Sequence, residues 1–235
     1  RWGPPRGSDN ALEVPHATTI VALRCEGGVI VAGDRRATEG HNIAGRRLVK
    51  VHAADRWSGV AIAGAAGPAL EMVRLLQTEL EHYEKVEGEP LSLEGKSNKL
   101  AQLVRLNLPA AFQGFAVVPL FAGFDLRRGE GRLFKYDVAG GRYEETDFHA
   151  TGSGGVHARN WIKAGWRPEI PAGEAVDLAI LALFQAADED TATGGPDLVR
   201  RIFPTVAVID QAGYSALSDD DLEARARRLL GGGDR

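Results

Sequence analysis

Short apolar segments separated by turn residues dominate the part of the chain between residues 18 and 63. β-Branched residues are frequent in these segments, which occupy residues 18–24, 29–32, 47–52 and 58–63. A turn signal at 26–28 separates the first two segments, and another at 54–56 separates the last two. Because β-branched residues favour extended backbone, the pattern predicts two antiparallel pairs of strands.

The spacing of the hydrophobic positions then changes. From Leu70 onwards apolar residues recur three or four positions apart, which predicts a helix over residues 68–85 with Pro68 in its first turn. A second helix is predicted over residues 93–113. Pro109 lies within it and is expected to bend or interrupt it, since proline has no N–H to donate.

The second half of the chain returns to strands and then mixes both kinds of element. The predicted strands cover 116–124, 132–137, 142–147 and 205–209, and the predicted helices cover 155–164, 174–187 and 219–230. A hairpin turn is predicted at 139–141. This order favours a layered α+β fold in a single domain over residues 18–235, to which residues 1–17 are appended.

Composition narrows the functional classes. The 235 residues are 44% hydrophobic and 26% charged, which suits one globular domain. A net charge of −4 argues against a general nucleic-acid partner, because nothing would neutralise a phosphate backbone. No apolar run reaches the ~18 residues of a membrane span. Cys25 is the only cysteine, so no intrachain disulfide is expected, and a structural thiol in a reducing cytoplasm is predicted.

Three residues near the first strands carry the candidate chemistry. Thr18 lies at a potential processing point, and Asp34 and Lys50 follow it at fixed distances in the chain. A threonine hydroxyl is a weak nucleophile at neutral pH and requires a base beside it. A free α-amine, with a reference pKa of ~7.7–8.0, could serve as that base.

Several motifs occur together in one order along the chain. They are Thr18-Thr19-Ile20-Val21-Ala22-Leu23, Gly33-Asp34-Arg35-Arg36-Ala37-Thr38, Lys50-Val51, Ala63-Gly64, Gly152-Ser153-Gly154 and Asp190-Thr191-Ala192-Thr193-Gly194-Gly195. Over residues 18 to about 225 this ordered set resembles the catalytic β subunit of the 20S proteasome, in particular its actinobacterial branch. The resemblance implies an N-terminal-nucleophile hydrolase fold, a four-layer αββα sandwich.

The resemblance also implies a maturation step and a set of site residues. Residues 1–17 would be a propeptide, removed autocatalytically between Ala17 and Thr18, although the family usually has glycine where this chain has Ala17. The catalytic positions that match the family are Thr18, Asp34, Lys50, Ser153, Asp190 and Thr193, with the N–H of Gly64 as oxyanion donor. The substrate would pair with Thr38 and Ala66, and its side chain would enter a pocket of Ala37, Leu48, Ile62 and Ala66. Because these side chains are small or apolar, broad cleavage after hydrophobic residues is expected.

The implied partners are proteasome α subunits and other β subunits in a heptameric ring stacked on a second β ring. An ATP-dependent unfoldase or another activator would act through the α ring and feed unfolded protein substrates to it. No metal or other cofactor is expected, and no nucleic-acid or membrane partner.

Two alternatives within related folds stay open. A catalytically silent ring subunit would be expected to lack Thr18, Asp34 or Lys50, all of which are present. The related bacterial two-ring protease without α-type partners is shorter and has Gly-Gln where this chain has Arg35-Arg36. A serine protease and a metal hydrolase find no support, since neither a Gly-x-Ser-x-Gly nor a His-Glu-x-x-His motif occurs. Apolar helix faces such as Leu70 to Leu80 suit either the core or a ring interface.

Overall fold

A computed structural model describes residues 18–231, within which the chain forms twelve strands and six helices. The strands are β1 (Thr19–Cys25), β2 (Gly28–Gly33), β3 (Ala37–Glu39), β4 (Asn42–Gly45), β5 (Val51–Asp55), β6 (Ser58–Gly64), β7 (Val117–Asp125), β8 (Glu130–Tyr136), β9 (Arg142–Glu145), β10 (Phe148–Gly152), β11 (Thr205–Asp210) and β12 (Gly213–Ala216). The helices are α1 (Ala66–Glu87), α2 (Leu93–Leu106), α3 (Leu108–Ala111), α4 (Gly155–Gly165), α5 (Ala172–Glu189) and α6 (Asp219–Leu230).

Ten of these strands form two five-stranded sheets. The first has the order β10-β1-β2-β11-β12 and the second the order β5-β6-β7-β8-β9, while β3 and β4 form a separate hairpin. Every neighbouring pair in both sheets is antiparallel. β1 therefore lies between β2 and β10, which matters for the site because Thr18 immediately precedes it.

The two sheets pack face to face between two helical layers. Side chains alternate along β1: Ile20 and Ala22 contact the second sheet, whereas Val21 and Leu23 pack with α4 and α5. The second sheet alternates in the same way, since Ala61 faces the first sheet and Val60 packs with α1 and α2. Three apolar layers thus separate four layers of structure, and the predicted αββα sandwich is confirmed.

The helix predicted over 93–113 is interrupted, as expected from Pro109, but the break comes earlier than Pro109 itself. α2 ends at Leu106, and a separate single turn, α3, contains Pro109. Proline cannot donate to a carbonyl one turn earlier, so a continuous helix would lose a hydrogen bond at this position. The side-chain amide of Asn107 donates to the carbonyl of Phe115 at 3.0 Å, which fixes the break.

The strand predicted over 47–52 is displaced. β5 begins only at Val51 and continues to Asp55, so the turn falls on Arg56 and Trp57. Oδ1 of Asp55 accepts hydrogen bonds from the N–H of Trp57 at 3.0 Å and from Oγ of Ser58 at 2.7 Å. A carboxylate that binds the backbone two residues on stabilises a tight turn, and this fixes the hairpin after Asp55.

Other differences concern short strands and the beginning of the chain. Sequence patterns did not predict β3, β4, β10 or β12, which have three to five residues each and mixed polarity. The predicted propeptide, residues 1–17 with Ala17, lies outside the described residues. Burial raises the pKa of the Cys25 thiol to about 11, in keeping with a structural role. No helix in residues 18–231 is long and apolar enough to cross a membrane.

Candidate active site

The carboxylate of Asp34 is the centre of a buried polar cluster at the end of β2. The backbone N–H of Asp34 donates to the carbonyl of Thr19 at 3.1 Å, which extends the hydrogen bonding between β1 and β2 by one residue. Oδ1 accepts hydrogen bonds from the N–H of Thr19 at 2.8 Å and from Nζ of Lys50 at 2.6 Å. Oδ2 accepts from the backbone N–H groups of Arg36 and Gly194, each at 2.9 Å. Four donors therefore stabilise a carboxylate that is completely buried.

Lys50 precedes β5 and is as deeply buried as its partner. Its carbonyl accepts a hydrogen bond from the N–H of Ile62 at 2.9 Å, which holds it against β6. Gly33 leaves room beside it, since a Cβ there would lie 3.3 Å from the Cβ of Lys50. Burial lowers the pKa of Lys50 below its ordinary value, although the Asp34 carboxylate favours the ammonium form. The ammonium form of Lys50 is therefore less favoured than that of an exposed lysine.

Thr18 stands immediately before β1, next to the peptide group that contacts Asp34. Its carbonyl accepts a hydrogen bond from the N–H of Ser153 at 2.9 Å. Gly152 permits this approach, because its φ is +99° and a Cβ there would collide with the carbonyl oxygen of Thr18. Since β1 lies between β2 and β10, the backbone holds Thr18 between Asp34 and the loop that follows β10.

A chain of hydroxyl groups links this region to the end of α5. Oγ1 of Thr193 donates to Oδ2 of Asp190 at 2.5 Å, and Oγ of Ser153 donates to the same oxygen at 2.6 Å. Oγ1 of Thr19 lies 2.6 Å from Oγ1 of Thr193 and accepts from the N–H of Gly154 at 3.0 Å. Because the Thr193 proton is directed to the carboxylate, Thr19 is the donor in its bond with Thr193.

The Asp190 carboxyl is ionised at neutral pH. Burial favours its neutral form, but hydrogen bonds from Ser153, Thr193 and the N–H of Ala192 outweigh burial and lower its pKa below the ordinary value. Three donors therefore fix an anionic group beside the loop that carries Ser153.

Gly64 ends β6 where the chain turns towards α1. Its φ is +105°, and a Cβ there would collide with the carbonyl oxygen of Ala116. Only glycine fits this backbone without strain. Two residues later, Ala66 begins α1 with an exposed side chain. The turn therefore leads from the half-buried Gly64 to the exposed Ala66 within two residues.

The remaining predicted substrate residues lie around the β3–β4 hairpin and the core beneath β6. Ala37 and Thr38 are in β3 and half-buried, and Leu48 is half-buried beside Ala37 in a shallow open cleft. Ile62 is only 3% exposed and packs with the core that faces α1 and α2. Ile62 could therefore form only the floor of a pocket, whereas Ala37, Leu48 and Ala66 could contact a ligand directly.

Comparisons with known proteins agree on one family. The family model described as "Proteasome subunit" matches residues 14–199. A proteasome subunit beta of Acidimicrobium ferrooxidans is 61% identical over 227 residues, which are 96% of this chain and 83% of that protein. Those of Acidothermus cellulolyticus and Streptomyces griseus are 58% and 55% identical over 93% and 94% of this chain, and over 77% and 78% of their own lengths.

The chain belongs to the proteasome subunit family. With relatives of β type at this identity, the predicted resemblance to actinobacterial proteasome β subunits is confirmed, and so is the predicted enzyme class, a threonine protease subunit of the proteasome. Assembly with α subunits in a proteasome follows from the same membership.

For this proteasome subunit, six predicted catalytic residues come together at the start of β1, namely Thr18, Asp34, Lys50, Ser153, Asp190 and Thr193. Sequence reasoning missed three residues that complete the cluster. Arg36 and Gly194 contribute backbone N–H groups, for which side-chain identity gives no signal. Thr19 is a polar residue, completely buried, at the first position of an apolar strand, and that contrast could have indicated it. Within residues 18–231, no group of His, Cys, Asp and Glu side chains is arranged to hold a metal ion.

Proposed function

We propose that Thr18 is the nucleophile of this threonine endopeptidase, after autocatalytic cleavage between Ala17 and Thr18. One observation carries the assignment. Oδ1 of Asp34 contacts both Nζ of Lys50, at 2.6 Å, and the N–H of Thr19, at 2.8 Å. A buried carboxylate–lysine pair is thereby fixed at the peptide group that follows Thr18.

Cleavage at Ala17 releases the α-amine of Thr18, which acts as general base and takes the proton of its Oγ1. Oγ1 then attacks the substrate carbonyl carbon, and an Oγ1–C bond forms. The ammonium of Lys50 lowers the cost of negative charge on Oγ1, and Asp34 orients that ammonium. The complete burial of Lys50 and Asp34 supports this assignment, because charges interact more strongly away from water.

The tetrahedral intermediate carries its negative charge on the former carbonyl oxygen. The N–H of Gly64 donates a hydrogen bond to that oxygen. When the C–N bond breaks, the α-ammonium protonates the leaving amine and an ester with Thr18 remains. A water molecule, deprotonated by the same α-amine, then hydrolyses the ester and restores the threonine.

Ser153, Asp190 and Thr193 orient the new N-terminus. The hydrogen bond from the N–H of Ser153 to the carbonyl of Thr18 supports this, since it places Ser153 beside the residue whose amine is released. The anionic Asp190, bound by Ser153 and Thr193, favours a positively charged group nearby. It thereby stabilises the α-ammonium that forms when the hydroxyl loses its proton.

The substrate is an extended segment of an unfolded protein that pairs with the backbone of Thr38 and Ala66 as an added strand. Backbone pairing does not depend on sequence, so preference arises in the pocket. Ala37, Leu48 and Ala66 are available to contact the substrate side chain and Ile62 forms the floor, which favours hydrophobic residues before the cleaved bond.

The subunit acts within a cytoplasmic particle of stacked heptameric β rings capped by α rings. An ATP-dependent unfoldase or another activator delivers unfolded chains through the α ring. A peptidase with so little side-chain selectivity is controlled by access to its chamber, which gives the closed assembly its function.

The test uses particles assembled with the α partner. In the wild type, we expect loss of residues 1–17 by intact mass and hydrolysis of a peptide with a hydrophobic residue before the cleaved bond. Thr18→Ala should keep residues 1–17 and lack activity, while Thr18→Ser should retain both reactions at a lower rate. A Thr18→Ala particle that still hydrolyses peptide would overturn the assignment. A wild-type particle that assembles but neither matures nor hydrolyses would be a structural subunit.

A further inference from the structure

Three arginine residues line a small cavity beside the segment that follows Asp34. Arg35, Arg36 and Arg46 form part of its wall, together with Gly194 and Asp197. We call it the arginine cavity. Its volume of about 50 Å³ exceeds the ~10–15 Å³ that a cavity needs to hold one water molecule. It is far too small for a nucleoside.

The hydrogen-bond donors of these arginines are incompletely used. Nε of Arg35 is buried and has no acceptor within residues 18–231, and its Nη1 forms an ion pair with Oδ1 of Asp219 at 3.7 Å, beyond hydrogen-bond distance. Nη1 of Arg36 donates to the carbonyl of Thr191 at 2.6 Å. In the part of the chain that the structure describes, Arg46 makes no hydrogen bond or ion pair. Buried donors are normally satisfied, so an acceptor is expected at Nε of Arg35, while the exposed side chain of Arg46 could contribute further donors.

The charge around the cavity is predominantly positive. Asp197 is the one carboxylate among the residues of 18–231 that line it, and Arg200 already neutralises it. The N–H of Arg200 donates to its Oδ1 at 2.8 Å, and Nη1 of Arg200 lies 2.9 Å from its Oδ2. Within residues 18–231, the guanidinium groups of Arg36 and Arg46 have no carboxylate partner, whereas that of Arg35 lies 3.7 Å from Asp219.

We propose that the arginine cavity binds a small tetrahedral oxyanion, inorganic phosphate or sulfate. A guanidinium presents paired N–H donors in a plane, and these match two oxygens of such an anion. The anion would supply an acceptor to Nε of Arg35 and negative charge beside Arg36 and Arg46.

The cavity and the active site share residues. The backbone N–H groups of Arg36 and Gly194 donate to Oδ2 of Asp34, so two residues of the cavity wall also hold the catalytic carboxylate. The positive charge of Arg36 is among the influences that lower the pKa of Lys50. A bound anion would oppose that charge, so it should raise the pKa of Lys50 and shift the pH profile of peptide hydrolysis upwards.

Binding can be measured without reference to catalysis. We would titrate assembled particles with inorganic phosphate by calorimetry, with ionic strength held constant by sodium chloride. The expected result is saturable binding with one site per β subunit. Arg46→Gln should weaken it about tenfold, the effect of losing one charge-assisted hydrogen bond. Arg46→Lys, which keeps the charge without the paired donors, should weaken it less.

Arg74→Gln is the matched control, since Arg74 is exposed on α1 and lines no part of the cavity. It should leave phosphate binding unchanged. Absence of saturable binding to wild-type particles would overturn the proposal, as would equal weakening by Arg46→Gln and Arg74→Gln. Binding of ADP without binding of inorganic phosphate would also contradict it. Assembly of each variant is checked by size-exclusion chromatography before titration.

Discussion

The hydroxyl oxygens of Thr19 and Thr193 lie 2.6 Å apart, although the two residues are separated by 174 positions in the chain. This bond joins the first residue of β1 to the segment that follows α5. Thr193 in turn donates to Asp190, so the residue next to the proposed nucleophile is connected to the group that we propose orients the N-terminus. Thr19 is completely buried and contacts no solvent. Its hydroxyl therefore positions Asp190 and Thr193.

Replacement of Thr19 by valine should lower the turnover number more than it raises KM. Valine has nearly the same shape, but the N–H of Gly154 would lose its acceptor and Thr193 would lose a donor. A buried unsatisfied group costs about 1–3 kcal/mol, so a loss of stability of this order is also expected. Peptide hydrolysis and thermal unfolding of assembled particles would measure both effects.

Thr19→Ser separates positioning from packing. Serine keeps the hydroxyl but removes a methyl group from the core, so it should recover most of the turnover number even if stability stays reduced. If Thr19→Ser and Thr19→Val have equally low turnover numbers, the hydroxyl chain has no part in catalysis.

Replacement of Lys50 by methionine should abolish both maturation and hydrolysis. Methionine fills much the same volume without the charge, and Asp34 would keep its three backbone donors. Removal of one partner from a buried ion pair costs about 3–5 kcal/mol, so some destabilisation is also expected. Intact mass and hydrolysis rates give the catalytic effect, and urea unfolding gives the effect on stability.

Lys96 offers a matched control, because it is also buried and forms an ion pair with Asp55. Asp55 ends β5 at the hairpin turn, whereas Lys50 directly precedes the first residue of the same strand. Lys96→Met should therefore destabilise the subunit to a similar degree while maturation and turnover persist. A Lys50→Met subunit that behaves like Lys96→Met would remove Lys50 from the mechanism.

The sequence predicts the long buried strands of this fold better than its short, partly exposed strands. The long apolar strands 18–24 and 58–63 are recognisable because each buries both faces, one against the other sheet and one against helices. β3, β4 and β12 are short and partly exposed, so tertiary pairing rather than hydrophobic pattern determines them. The break after α2 depends on Pro109, which could be read from the sequence, but its position depends on Asn107.

For the site, the side chains could be predicted and the backbone contributions could not. Asp34 and Lys50 were identified by matching a family pattern, since their separation of sixteen residues carries no local signal. The N–H groups of Arg36 and Gly194 reach Asp34 only because a distant segment folds against the end of β2. Contacts of this kind require the tertiary structure.

Gly152→Ala should displace Thr18 and strongly reduce maturation. The φ of Gly152 is +99°, and an added Cβ would collide with the carbonyl oxygen that Ser153 binds. An alanine there is strained and must move the backbone at the proposed cleavage site. Intact mass of assembled particles over time would give the rate of cleavage.

Gly173→Ala is the control for this change. Gly173 lies in the first turn of α5, and a Cβ there meets no atom within 4 Å among the described residues. Alanine is favoured over glycine in a helix, so maturation should be unchanged and stability equal or slightly higher. Normal maturation of Gly152→Ala would show that Thr18 tolerates displacement, and would contradict the proposal that its position beside Ser153 is needed for cleavage.

His149 should make the subunit lose stability as the pH falls from about 6.5 towards 4. Burial and then the positive charge of Lys135 lower its pKa from 6.5 to about 4, outweighing the carboxylate of Glu145 nearby, while Arg159 adds to the lowering and Asp147 opposes it. Between those pH values the unfolded chain binds a proton that the folded subunit does not, so the free energy of unfolding rises with pH across this window. The contribution is about 3 kcal/mol at most, at ~1.4 kcal/mol per pH unit.

Urea unfolding of the unassembled subunit at pH 7, 5.5 and 4.5 measures this effect. His149→Gln has no titrating group and should flatten the pH dependence, whereas His82→Gln, an exposed position on α1, should follow the wild type. Carboxylates that are paired in the folded state add their own loss of stability at low pH, so the difference between the two variants is the informative quantity. Parallel curves for His149→Gln and the wild type would mean that His149 is protonated in the folded subunit as readily as in the unfolded chain. Its Nδ1 has no hydrogen-bond partner in residues 18–231, and that result would show that this atom is not shielded from water.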